Sequence, residues 1–388
     1  MTPPAQTTLA LCLRPLDVLF FRDGRPFLSG TEQMISGLPL PQTFAGAIRT
    51  ALLRAAGCDF GQLRQEIEAG RTFAQAVTKA CQQEYHWIGQ LAVRGPWLAR
   101  RHADTQQLEV LVPAPAILHR PKKGNSSELL RLSPLPKDQL PGWCPAGDQQ
   151  GLRPLWLKRL EVTEAVKGYL TRQGLQKFLD GQAVNEDEIV SAVNLFGYDF
   201  RTGIGIAPDR LVAAQSQIYG RGFLALKHDV TQRRQVVLYA ELRLPEAGSL
   251  GSLQTLLDGL GLLPLGGEGR HVAIERLDTP FDWPAPPQCT DTRKPLMLLS
   301  TPGVFRAGWK PQALDGRLVA AAVPESLAFS GWDLARGGPK PTRFAVPAGS
   351  VYFLREDPLS SAESSLAETD EERQQGWGCY LTGVWTDE

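Results

Sequence analysis

Residues 14–57, RPLDVLFFRDGRPFLSGTEQMISGLPLPQTFAGAIRTALLRAAG, constrain the fold more than any other stretch. A partly alternating run, Thr7–Arg14, precedes them, and Leu16–Phe21 adds a second short apolar run. Arg22–Asp23–Gly24–Arg25–Pro26 then breaks the pattern, since Asp and Gly tolerate positive φ and Pro cannot continue a ladder. After a loop carrying Gly30, Gly37, Pro39 and Pro41, a helix is predicted from near Gln42. Phe44, Ile48, Ala51, Leu52 and Ala55 recur at helical spacing, and Gly57 stands where a C′ glycine belongs. The helix is rich in Ala, so its backbone can sit close to a sheet. Strand, basic loop and small-residue helix form a unit that presents Arg22, Arg25 and Arg49 near one edge.

At 388 residues the chain has room for two or three domains. Lys+Arg equals Asp+Glu at 41 each, so no global field draws in nucleic acid or membrane, and any polyanion site must be local. Glycine (38) and proline (30) exceed their usual share, which predicts many turns and long loops. Cys12, Cys58, Cys81, Cys144, Cys289 and Cys379 show no metal-ligand spacing and read as scattered reduced thiols of a cytoplasmic protein. Neither a signal peptide nor a membrane-spanning run is expected.

Further along, Leu63–Gln82 reads as two short helices interrupted at Gly70, and Trp87–Leu98 as a strand ending at Gly95–Pro96. His119–Pro154 is a Pro- and Gly-rich excursion, with Trp143 and Trp156 expected to pin it down. Val236–Leu244 is a strand by its β-branched and aromatic content. Ser249–Gly259 reads as a helix, Val272–Leu277 as a strand and Phe281–Pro287 as a linker. Short strands follow at 296–300, 319–322, 328–329, 351–354 and 376–385, and acidic Glu363–Glu372 reads as a solvated or disordered loop.

Three blocks bear on chemistry. Gly266–Gly267–Glu268–Gly269–Arg270 puts three glycines in four positions, enough to bring several N–H groups to a phosphate. It lacks the Lys-Ser/Thr ending of a Walker loop, and a sharp turn explains it equally well. His271 beside it has the chemistry of a general base for RNA cleavage, although a strand-entry His with no chemistry is the plainer reading. Block 201–243 carries Arg201, Arg210, Arg221, Lys227, Arg233, Arg234 and Arg243 against Asp209, Asp229 and Glu241, a net of +4 in a neutral chain. Tyr219 and Phe223 lie among these charges, as single-stranded RNA asks, unless they are core aromatics under a solvated strand. Gly337–Leu354 combines Lys340 and Arg343 with three prolines.

PLDVLFFRDGRPF at 15–27, PLPQTFAGAIRTAL at 39–52, RTGIGIAPDR at 201–210, the glycine loop and KPTRFAVPAGSVYF at 340–353 occur in this order along the chain. Together they resemble the Cmr3-type subunit of type III-B (Cmr) CRISPR effector complexes, in the RAMP superfamily. The resemblance implies an α+β protein with two ferredoxin-like (RRM-like) domains, at 1–283 and 288–388, the first carrying a large insertion over about 60–200. In the first, β1 is expected at 7–14, the first helix at 42–56, the second and third strands among 211–244, the second helix at 249–259 and the fourth strand at 272–277. It further implies a non-catalytic subunit, without metal or cofactor, that grips the 5′ tag of the crRNA. Its expected partners are the Cas10-type large subunit and the first backbone RAMP subunit, with no membrane. RNA contacts are then expected at Arg22, Arg25, Arg49, Arg201, Arg210, Tyr219, Arg221, Gly266, Gly267, Gly269, Arg270, Lys340 and Arg343. The alternatives are a metal-independent crRNA-processing endonuclease, which some RAMP proteins are, and a structural subunit without RNA contact.

Overall fold

The computed structural model describes residues 7–22, 34–122, 127–136, 151–157, 162–207, 209, 212–246, 248–333, 337–355 and 364–387. In chain order the elements that matter are β1 (Thr8–Pro15), α1 (Pro41–Ala55), α2 (Phe60–Glu68), α3 (Phe73–Ala80), β2 (Ala92–His102) and β3 (Leu108–Pro113). They continue with α4 (Arg172–Leu179), β4 (Phe196–Ala207), β5 (Val212–Leu226), β6 (Arg234–Arg243), α5 (Leu250–Asp258) and β7 (His271–Leu277). The last are β8 (Arg293–Leu299), β9 (Leu318–Ala322), β10 (Val351–Leu354), α6 (Asp370–Gln375) and β11 (Tyr380–Thr386). The protein is α+β, with antiparallel sheets throughout its core.

β1 is an interior strand of the main sheet because TLALCLRP is apolar on both faces. Leu9, Leu11 and Leu13 turn to the helices, where Phe44, Ile48 and Leu52 of α1 and Leu253 and Leu257 of α5 cover them. Ala10 and Cys12 turn to the other face. Pro41 opens α1, where its missing N–H costs nothing, and Gly57 follows the helix at φ +66°. β1 pairs with β6 on one side and β7 on the other, and β6 pairs onward with β2.

The second strand was expected among 211–244 and lies elsewhere. It is β2, from within the stretch expected as an insertion, and β3 and Tyr169–Leu170 extend the same sheet. β2 does not end at Gly95–Pro96. The ladder with β6 slips one register between Tyr239 and Glu241, a bulge that takes up a residue without an N–H, and Gly95 supplies the φ of +92°. β5 instead pairs with β4 in a separate long hairpin, which Met34–Ile35 joins in parallel.

The described part of His119–Pro154 is more than an excursion, since its Leu129 is buried in the cluster that follows. Val112, Leu175 and Phe178 share one apolar cluster with Leu296, Val319, Phe353 and Trp385 of the C-terminal sheet, ordered β9-β10-β8-β11. Trp156 has a half-exposed side chain and is tied through its backbone to Ser133, and Trp143 lies outside the described residues. The acidic stretch also differs from expectation. Thr369 caps α6, three acidic residues occupy its first turn beside the positive end of the helix dipole, and Gly376 ends it at φ +89°. Cys58 and Cys81 form a disulfide, with Cα atoms 4.5 Å apart, contrary to the expectation of free thiols. Their separation of 23 residues carries no signature; the α2–α3 turnaround brings them together.

Phe281–Pro287 was expected as a plain linker. Its start lies over the outer face of the main sheet, where Phe281 and Trp283 pack with Trp97 and Tyr239. Beneath them the buried Glu241 carboxylate accepts from Tyr239 Oη at 2.9 Å, Trp283 Nε1 at 2.6 Å and Arg94 Nη1 at 3.4 Å. That face is therefore closed by the chain itself.

Candidate nucleic-acid interface

With the sheet face closed, the basic and aromatic residues converge at its end, where the turn after β1, the base of the β4–β5 hairpin and the glycine loop before β7 meet. Leu19 and Leu224 exchange backbone hydrogen bonds at 2.8 Å and fix the turn to the hairpin. Phe20 and Phe223 then pack at a tilt of 50° with ring centroids 5.2 Å apart, both buried. Three guanidinium groups lie on these rings. Arg270 is 4.6 Å and Arg201 5.2 Å from the centroid of Phe223, and Arg221 is 5.6 Å from that of Phe20. Ring faces hold guanidinium planes in place without quenching their charge.

Each cation also has a carboxylate. Asp17 Oδ2 lies 3.0 Å from Arg270 Nη1 and 3.2 Å from Arg201 Nη2, so one oxygen bridges two cations. Asp199 accepts from Arg201 Nε at 2.9 Å and Nη2 at 2.7 Å. The Asp199 hydrogen bonds, with the help of Asp17, raise the pKa of Arg201. Glu268, in the glycine loop, pairs with Arg221.

The glycine loop serves its own chain first. Gly267 N donates to Phe20 O at 2.8 Å, and a Cβ on Gly266 would stand 2.5 Å from the same oxygen. Gly269, at φ +63°, borders open space. His271 Nδ1 contacts Gly269 O at 2.9 Å.

The remaining expected contacts scatter. Arg22 and Lys340 are exposed. Arg343 pairs with Glu372, its Nη2 2.5 Å from the carboxylate. Arg49 is not on the surface: only 6% exposed, it donates to Leu91 O at 2.9 Å and Gln374 O at 3.2 Å, and burial lowers its pKa to about 10. A phosphate contact for Arg49 is corrected to an internal tie, because its donors are turned inward onto carbonyls. Phe223 has its ring covered by cations and Phe20 and is not free to stack on a base. Arg25 and Arg210 lie outside the described residues; so does the side chain of Tyr219, whose backbone pairs with Gly203.

Sequence reasoning missed Asp17, Asp199, Glu268 and Phe20, and also the outer face of the hairpin. There Tyr198, Phe200, Ile204 and Ile206 are each more than 40% exposed. The signal for this face was present as strict alternation in FGYDFRTGIGIA, with the charged Asp199 and Arg201 on the opposite face. Among the described residues there is no cluster able to hold a metal ion, and no helix is long and apolar enough to cross a membrane.

No curated protein matches the chain. Among solved structures it is similar to a chain of the cryo-EM structure of the type III-B Cmr-beta bound to cognate target RNA, at 15% identity and a TM-score of 0.48, covering 89% of this chain and 86% of that one. The same assembly with AMPPnP gives 15%, 0.47, 89% and 86%. A chain of the Cmr-beta apo state gives 9% identity and a TM-score of 0.29, covering 70% of this chain and 97% of that one. A family model, CRISPR-associated protein (Cas_Cmr3), matches residues 11–385, nearly end to end, and the chain belongs to that family.

Proposed function

We propose that this chain is a non-catalytic RNA-gripping and scaffolding subunit of a type III-B CRISPR effector complex, holding the 5′ tag of the crRNA at the Arg201–Arg221–Arg270 cluster. The observation that carries the reading is the stacking of these three guanidinium groups on the Phe20–Phe223 pair at the end of the sheet. Fixed cations on aromatic plates suit an extended phosphate backbone. The strand order β7-β1-β6-β2, with α1 after β1 and α5 before β7, supports a ferredoxin-like unit within 1–283. A second unit at 288–388 would be built on the C-terminal sheet. The Cas10-type large subunit and the first backbone subunit would then dock on surfaces such as the exposed stripe of the hairpin. His271, bonded to a loop carbonyl, fits a structural role better than that of a base. Arg201→Ala with Arg270→Ala should weaken binding of tag RNA and flatten its log–log salt slope by about 1.4, at about 0.7 per lost single-strand contact. Fluorescence anisotropy across a salt series measures this; wild-type affinity and slope in the double variant would reject the site.

A further inference from the structure

We propose that Asp17, together with Glu268, is a built-in phosphate stand-in that occupies the arginine cluster until RNA displaces it. The inference rests on the RNA-binding reading of that cluster. Its geometry is specific: one Asp17 oxygen lies 3.0 Å from Arg270 and 3.2 Å from Arg201, between two guanidinium groups, where a bridging phosphate oxygen would lie. Among the described residues, Asp17, Asp199 and Glu268 match Arg201, Arg221 and Arg270 charge for charge.

A carboxylate beside an arginine either positions it or blocks it, and the surroundings separate the two. The guanidinium groups of Arg201 and Arg270 already rest on the Phe223 ring, and Asp199 holds Arg201 through two further hydrogen bonds. Asp17 is therefore not needed to hold them in place. It stands in the turn after β1 with its side chain 55% exposed, free to swing into water. Glu268 is 41% exposed at φ +60° in the glycine loop. Ion pairs this exposed are weak and salt-screened, whereas an incoming RNA phosphate gains the release of its counterions. Exchange of carboxylate for phosphate breaks and forms the same class of charge-assisted hydrogen bond. The consequence is selectivity: an isolated anion gains little over the resident carboxylate, while a strand presenting successive phosphates displaces both.

The test compares Asp17→Asn, Glu268→Gln and Arg270→Ala in the full chain, with a labelled single-stranded RNA of about ten nucleotides as probe. Asp17→Asn is expected to tighten binding about two- to five-fold at low salt, the range of an exposed pair. Glu268→Gln should do the same through Arg221, and it carries the test if Asp17→Asn does not fold. Arg270→Ala should weaken binding. Unchanged or weaker binding in both carboxylate variants, with Arg270→Ala still weakened, would overturn the stand-in role and leave the site. Unchanged binding in Arg270→Ala would reject the site and the stand-in with it.

Discussion

At the scale of the residue, the glycine loop shows how a feature can be located correctly and explained differently. Three glycines before a strand suggested close approach to a ligand, but at Gly266 the approach is to Phe20 of the same chain, with a Cβ clash at 2.5 Å and φ at +87°. Gly266→Ala should therefore destabilise the fold by more than about 2 kcal/mol, by strain and overpacking together. Gly269→Ala meets nothing within 4 Å and should cost only the positive-φ penalty of about 1–2 kcal/mol. Urea unfolding of the two variants ranks them, and the opposite ranking would refute the packing role. The arginines of the cluster were legible from charge and spacing. The partner Asp17 was not, because it stands 253 positions from Arg270 and no local pattern joins them.

At the scale of the element, β1, α1, α5 and β7 were legible because each carries its own periodicity and punctuation. β2 was not read through to its end, since Gly95–Pro96 looks like a stop until the bulge opposite is seen. β5 reads like any sheet strand; its pairing with β4 is a choice of partner that composition does not encode. The alternation along β4 leaves Ile204 52% and Ile206 59% exposed, so their packing within the chain is slight. Replacing both by Ser should change the stability of the isolated chain by no more than about 0.5 kcal/mol per site. The same variant should lose co-purification with the large or the backbone subunit if the hairpin is a docking surface. Full recovery of the assembled complex would remove the hairpin from that role.

At the scale of the whole molecule, Arg49 links parts far apart in sequence. It stands in α1, lies 5.1 Å from the Phe73 ring of α3, and bonds the carbonyls of Leu91 and of Gln374 near the C-terminus. Arg49→Ala should lower the stability of the full chain by about 2–4 kcal/mol, since two charge-assisted bonds vanish and one buried and one part-buried carbonyl lose their donor. RNA affinity of the folded fraction should not change. A variant of wild-type stability with impaired binding would return Arg49 to the interface.

The interior position of β1 also has a consequence in time. Its residues, 8–15, pair only with 234–243 and 271–277 in the main sheet. During synthesis an apolar strand led by Leu9, Leu11 and Leu13 leaves the ribosome more than two hundred residues before its first partner. At the usual elongation rate that wait is roughly ten to fifty seconds. Until then the strands already made, β2 with β3 and β4 with β5, pair with each other and offer β1 no partner, so the first strand is an unpaired edge that other chains can reach. Protection in that interval falls to helices such as α1, which can form early from local contacts, and to the chaperones that attend translation.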